Sequence, residues 1–222
     1  MSSYKRRNYR RKQKWYVRFR LPLAIVALVL ILLVIVGVAH RDEKKEEQRL
    51  TKIEADTPDY DVQLLSINEY SRPGIERNEI NGIVIHYTAN PGTGAQANRN
   101  YFESLKDTHA TKASAHFIVG LDGEIIQCIP TAELAYASND RNSDTVSIEC
   151  CYENEDGSFN QATYNEAVHL TAWLCAKFGL SEKDVIRHYD VTGKMCPIYY
   201  VEHGDAWEQF RKDVKTYLKA YK

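Results

Sequence analysis

From Leu21 to Ala39 the chain runs without a charged side chain, and almost every residue is aliphatic. A bilayer core takes about 20 apolar residues in a helix, so this run predicts a membrane-spanning helix. Pro22 falls in its first turn, where a missing N–H does no harm. No face is polar, unlike a helix that packs on a soluble core. The pattern then inverts. Arg41 to Glu54 alternates acids and bases and predicts a solvated stalk, a short helix with Glu/Lys pairs, broken by Asp56–Asp61 with Pro58.

Beyond 62 the periods switch back and forth. Ile83-Val84-Ile85 reads as a short buried strand leading into His86, and Pro91, Gly92 and Gly94 read as a loop. Residues 96–106 carry Tyr101, Phe102 and Leu105 on one helical face. Ser114–Leu121 and Glu124–Ile129 flank Asp122-Gly123, a hairpin signal. Thr145–Cys151 reads as a strand. Thr163 with Glu166 predicts a capping box opening a helix to Phe178, stopped by Gly179. Val185-Ile186 is a short strand ending at His188. Asp205 with Glu208 opens a last helix whose stripe is Trp207, Phe210, Val214, Tyr217, Leu218 and Tyr221. Strands alternating with long helices predict one α/β domain, a central mixed sheet flanked by helices, preceded by the transmembrane helix.

Charge assigns a direction to the run. Of 29 Lys and Arg, nine lie in residues 1–20 with no acid, which leaves 20 basic against 30 acidic residues and a formal charge of −10 on the rest. Lys5, Arg6, Arg7, Arg10, Arg11, Lys12, Lys14, Arg18 and Arg20 keep that end in the cytoplasm, and Trp15 and Tyr16 suit the interface. An acidic globular part argues against a nucleic-acid partner. Gly37-Val38-Ala39 offers a cleavage site for a signal peptide, but the apolar run is longer than a signal core, which favours a retained anchor. The expected organisation is a basic tail 1–20, an anchor 21–39, a charged stalk 40–61 and a globular domain 62–222, monomeric and outside the cell.

Three residues carry metal-binding chemistry. His86 and His188 each end an apolar strand, and Cys196 follows in a loop shaped by Gly193 and Pro197. Two imidazoles and a thiolate suit zinc and leave a fourth position open. By spacing alone a structural role for each histidine competes, because no short His-x-x-x-His pair is present.

Several motifs settle the reading. Ile-His-Tyr-Thr at 85–88, Ser-Ala-His-Phe-Ile-Val at 114–119, Asp-Gly at 122–123, Val-Ser-Ile-Glu at 146–149 and Arg-His-Tyr-Asp-Val-Thr-Gly-Lys-Met-Cys-Pro at 187–197 occur in that order. Together they resemble the type 2 N-acetylmuramoyl-L-alanine amidases, a family that includes phage lysozyme-type amidases and is similar to peptidoglycan recognition proteins. The resemblance implies zinc on His86, His188 and Cys196. It implies hydrolysis of the amide between N-acetylmuramic acid and L-alanine in bacterial peptidoglycan, on the cell-wall side of the membrane. It places Glu149 as the carboxylate that takes a proton from attacking water and returns it to the leaving amine, and Lys194 as the cation facing the oxyanion.

The sequence also departs from the family. Relatives often carry Tyr where this chain has Ala115, which shifts proton handling onto Glu149. A substrate-side His is replaced by Ala137. His116 reads equally as a partner of a ligand or a satisfied hairpin residue. Thr88 and Asp190 are candidates for orienting ligands, and His109, His169 and His203 take no role. Cys128, Cys150, Cys151 and Cys175 read as buried thiols; Cys150 and Cys151, adjacent on a strand, must face opposite ways. Two rivals stand beside the amidase: a non-catalytic peptidoglycan-binding module, and a cysteine hydrolase with Cys196 as nucleophile.

Overall fold

The computed structural model describes residues 3–221, and the side chains of Leu23 and of residues 26–221. The chain divides between Arg49 and Leu50 into two compact units. A continuous helix, α1 (Ser3–Ala55), accounts for the described part of the first and ends where the Pro58 segment begins. Its described aliphatic side chains are exposed, Leu30 by 58% and Val36 by 62%. Among the described residues no helix is long and apolar enough to cross a membrane. The side chains of 21, 22, 24 and 25, part of the predicted span, lie outside the described residues. So do those of the basic cluster, Trp15 and Tyr16.

The second unit is an α/β domain built on a mixed sheet. Its strands are β1 (Tyr60–Val62), β2 (Gly82–Tyr87), β3 (Phe117–Val119), β4 (Ile125–Gln127), β5 (Thr145–Cys150) and β6 (Val185–Arg187), in the order β1-β4-β3-β5-β2-β6. Only β3 and β4 pair antiparallel, across the Asp122-Gly123 turn, and Gly123 adopts the φ of 85° that this turn requires. The central strands β2 and β5 are covered on both faces, which is why Ile83-Val84-Ile85 and Val146–Ile148 are near-continuous apolar runs.

Alternation along the strands sorts side chains between two cores. Ile83, Ile85, Phe117, Val146, Ile148 and Cys150 face α3 (Gln161–Phe178) and α6 (Gly204–Leu218), where Trp207 stacks on Phe210 with centroids 5.5 Å apart. Ile118, Ile126 and Cys151 face α2 (Ala95–Thr108), which supplies Ala95, Phe102 and Leu105. His86 and Glu149 occupy matched positions in the parallel β2–β5 ladder, so the two side chains leave the sheet side by side. Ile53 is buried in this unit, and the Trp173 indole donates to its carbonyl at 3.1 Å.

The start of α3 corrects the expected capping box. Asn160 is the cap: its side chain accepts the Thr163 N–H, while the Thr163 hydroxyl donates to the Gly120 carbonyl in the hairpin turn at 2.8 Å. Threonine at that position tied a loop to a helix, a tertiary use that local pattern does not distinguish from capping. The five cysteines are free and buried.

Candidate metal centre and cleft

Three elements deliver the candidate ligands to the C-terminal end of the sheet. His86 lies near the end of β2. Strand β6 passes straight into a short helix, α4 (His188–Thr192), with His188 as its first residue. The Asp190 carboxylate accepts the Arg187 N–H at 2.8 Å and a guanidinium N–H at 2.6 Å, which caps this helix. Asp190 therefore sets where His188 starts, without touching a ligand. Gly193 ends α4 at φ 78°, and the chain turns back so that the Cys196 carbonyl accepts the Tyr189 N–H at 2.9 Å. Helix α5 (Ile198–Glu202) follows.

One ligating atom from each of His86, His188 and Cys196 lies within 4.8 Å of the others. The His86 and His188 ring centroids are 4.7 Å apart, and the Cys196 Sγ is 3.8 Å from His86 Nδ1. All three residues are buried. The far nitrogens are engaged: His86 Nε2 meets the Ser138 hydroxyl at 3.1 Å, and His188 Nε2 meets Asn139 Oδ1 at 2.9 Å. His188 Nδ1 is buried and has no hydrogen-bond partner among the described residues. Leaving a buried polar nitrogen unpaired is costly, and a cation at this point satisfies it. Two imidazoles and a thiol in this arrangement fit a borderline-soft divalent ion such as zinc.

The electrostatics of the two imidazoles agree with that donor set. Burial, with His188, Lys194 and His116 adding to it, holds His86 well below its ordinary value, so the ring is neutral, the form that ligates. Burial and Lys194 lower His188 as well. Burial, reinforced by Glu149, pushes the Cys196 thiol up to about 12, against the Tyr87 backbone N–H and Lys194. Without a cation the thiol stays protonated, a poor nucleophile and a poor ligand alike; a divalent ion held by the two imidazoles would displace that proton.

Glu149 Oε1 is 4.0 Å from His86 Nδ1, and Oε2 is buried with no partner among the described residues. Burial raises this carboxyl to about 8, partly offset by Lys194. Both line a cleft of about 390 Å³ with the three candidate ligands. The cleft's other walls include Phe102, Lys112, Tyr136, Ala137 and Asn139. Sequence reasoning thus named five residues that the fold gathers round one opening. It missed Ser138 and Asn139, and Tyr87, whose side chain also lines the cleft.

The other histidines of the second unit are accounted for elsewhere. His116 is buried between the Ser147 hydroxyl at 2.9 Å and the Glu133 carbonyl at 2.9 Å, so the satisfied reading holds. His109 stacks on Tyr70, His169 lies against Asp56 and His203 against Tyr199. Ala115 is buried in the core beneath α2. The Thr88 hydroxyl is buried without a partner among the described residues, and no ligand contact engages it.

Comparison with known proteins gives the family. The N-acetylmuramoyl-L-alanine amidase family model matches residues 76–198. The N-acetylmuramoyl-L-alanine amidase CwlL of Bacillus licheniformis is 37% identical over 167 residues, covering 69% of this chain and 46% of the relative. The amidase BlyA of Bacillus subtilis is 35% identical over 173 residues, covering 68% and 46%. The chain thus spans about half the length of the curated relatives it matches. Among solved structures, the catalytic domain of XlyA superposes with a TM-score of 0.59 at 31% identity, covering 71% of this chain and 99% of that one. PlyL superposes with a TM-score of 0.63 at 25% identity, covering 72% and 99%. A matched segment that contains β2 through Cys196, and with them every candidate ligand, makes the conclusion direct: the chain belongs to the N-acetylmuramoyl-L-alanine amidase family.

Proposed function

We propose that the chain is a zinc-dependent amidase that hydrolyses the bond between N-acetylmuramic acid and L-alanine in bacterial cell-wall peptidoglycan. The observation that carries this reading is the convergence of His86, His188 and Cys196, ligating atoms within 4.8 Å, with Glu149 and Lys194 on the same cleft. Zinc, when bound, supplies Lewis acidity toward the amide carbonyl and toward water.

The chain's own residues do the rest. Glu149 takes a proton from the water whose oxygen joins the lactyl carbonyl carbon. As the carbon–nitrogen bond breaks, the same carboxyl returns the proton to the alanine nitrogen. Lys194 faces the carbonyl oxygen and offsets the negative charge that gathers there. The cleft walls keep Glu149 poorly solvated, which strengthens its action on the reacting atoms, while Lys194 stands exposed at the opening.

Purified enzyme acting on cell walls is expected to release free alanine α-amino groups with no new reducing sugar ends. Reducing ends without alanine amino groups, or no products at all, would overturn the assignment; the second result would leave a binding module.

The same reading places the enzyme at the bacterial membrane, as a single-pass protein with its domain on the wall side. Its support is the uncharged Leu21–Ala39 run behind nine basic residues. Protease added to intact cells that lack an outer barrier should remove the catalytic domain. A protected domain, or a shed form lacking residues 1–39, contradicts the anchor.

A further inference from the structure

Strands place the Cβ atoms of His86 and His188, but not their rings. The last torsion of a histidine side chain is broad and soft, and a neutral imidazole can carry its proton on either nitrogen. A ligand set needs both choices made in advance. Two consecutive residues of one loop hold both ring orientations, and Asn139 fixes a tautomer as well. The Ser138 hydroxyl sits 3.1 Å from His86 Nε2, and Asn139 Oδ1 sits 2.9 Å from His188 Nε2. Asn139 Oδ1 can only accept, so it holds the proton of His188 on Nε2 and leaves the Nδ1 lone pair bare. Nδ1 is the buried atom with no partner among the described residues, and one His188 nitrogen lies within 4.8 Å of a ligating atom of Cys196 and of His86.

The loop is itself braced. Asn142 Oδ1 accepts the Ala137 N–H at 3.0 Å and the Ser138 N–H at 2.5 Å. The Arg141 N–H donates to the Ser138 carbonyl at 3.0 Å, and Arg141 pairs with Asp144 at 2.7 Å. The Thr145 hydroxyl donates to the Arg141 carbonyl at 2.6 Å, which ties the loop to the start of β5. Asn139 adopts φ 52°. That left-handed conformation suits Asn and Gly and is costly for most other residues.

We propose that Ser138 and Asn139 are the positioning residues of the metal site, fixing both imidazoles so that each offers Nδ1 to the ion. The proposal rests on the zinc reading of His86, His188 and Cys196 and extends it to this chain's own loop. Asn139 lines the cleft, but its Oδ1 is engaged by the His188 ring. Both partners are neutral, so they orient the rings without the increase in ligand basicity that a carboxylate partner brings.

The test is zinc affinity of the full chain in detergent, read by competition with a chelator of known affinity. Asn139→Gly keeps the left-handed backbone and removes the acceptor; Ser138→Ala removes the hydroxyl. Each is expected to weaken zinc binding by about 10- to 100-fold, with the thermal midpoint of the zinc-free protein unchanged. Asn139→Asp, which keeps an acceptor in place, is expected to bind at least as tightly as wild type. Wild-type affinity in both Asn139→Gly and Ser138→Ala overturns the proposal. So does a failure of Asn139→Asp to bind, or a zinc-free midpoint that falls in step with affinity, since the loop then acts only as support. Absence of zinc from the wild-type protein overturns the metal reading itself, a result distinct from the others.

Discussion

Glu149→Gln is expected to lower kcat on cell-wall substrate by about 10²- to 10⁴-fold while zinc content and KM stay near wild type. The amide keeps the shape and the hydrogen-bonding reach of the side chain but cannot take a proton. The effect should be large because Glu149 is the carboxylate beside the candidate ligands, and the position where the resemblance expects a tyrosine holds Ala115, buried in the core. The carboxyl is placed for the task by the sheet. His86 and Glu149 sit opposite one another in the β2–β5 register, and the Glu149 oxygen lies 4.0 Å from the His86 nitrogen. Loss of a group that acts only in the transition state falls on kcat rather than on KM. If Glu149→Gln releases alanine amino groups at near wild-type rate, the assignment fails, and Tyr87 on the same cleft becomes the next group to replace.

The second large effect concerns the thiol. Cys196→Ala is expected to bind zinc poorly and to lose activity by about 10³-fold or more, because the Lewis acid contributes several kcal/mol and each 1.4 kcal/mol or so is tenfold in rate. Cys196→Asp separates the two readings of this residue. A carboxylate is itself a zinc ligand, so that variant should hold zinc and retain part of the activity, which a nucleophilic cysteine cannot do after the same change. Metal analysis of the two purified variants, beside their rates on cell walls, checks both statements. Full zinc content in Cys196→Ala removes the thiol from the ligand set.

Much of this site was legible because strand ends are. An apolar triplet that stops at a histidine, as Ile83–Ile85 does at His86, marks where a buried ladder opens toward solvent. The same logic found His188 after Val185-Ile186. Asp122-Gly123 announced the antiparallel pair, since few sequences tolerate that turn. What stayed hidden depends on contacts between distant segments. Ser138 and Asn139 are 52 and 49 positions from the histidines they hold. No local pattern distinguishes them from other loop residues. The pairing of His86 with Glu149 required the parallel register of β2 and β5, which no turn dictates. Strand β1 is three residues long and lies in a stretch read as stalk; it is fixed by its ladder with β4. Thr163 looked like a cap because Thr and Glu three apart usually are one, and Asn160 took that place while Thr163 reached across to Gly120.

The central claim is that two imidazoles and one thiolate of this chain hold the zinc that hydrolysis requires. X-ray absorption at the zinc edge of the purified, active protein tests it most directly. The account predicts one sulfur at about 2.3 Å and two imidazole nitrogens at about 2.0–2.1 Å in the zinc shell. A shell of nitrogen and oxygen alone, or an active protein that contains no zinc, would contradict it.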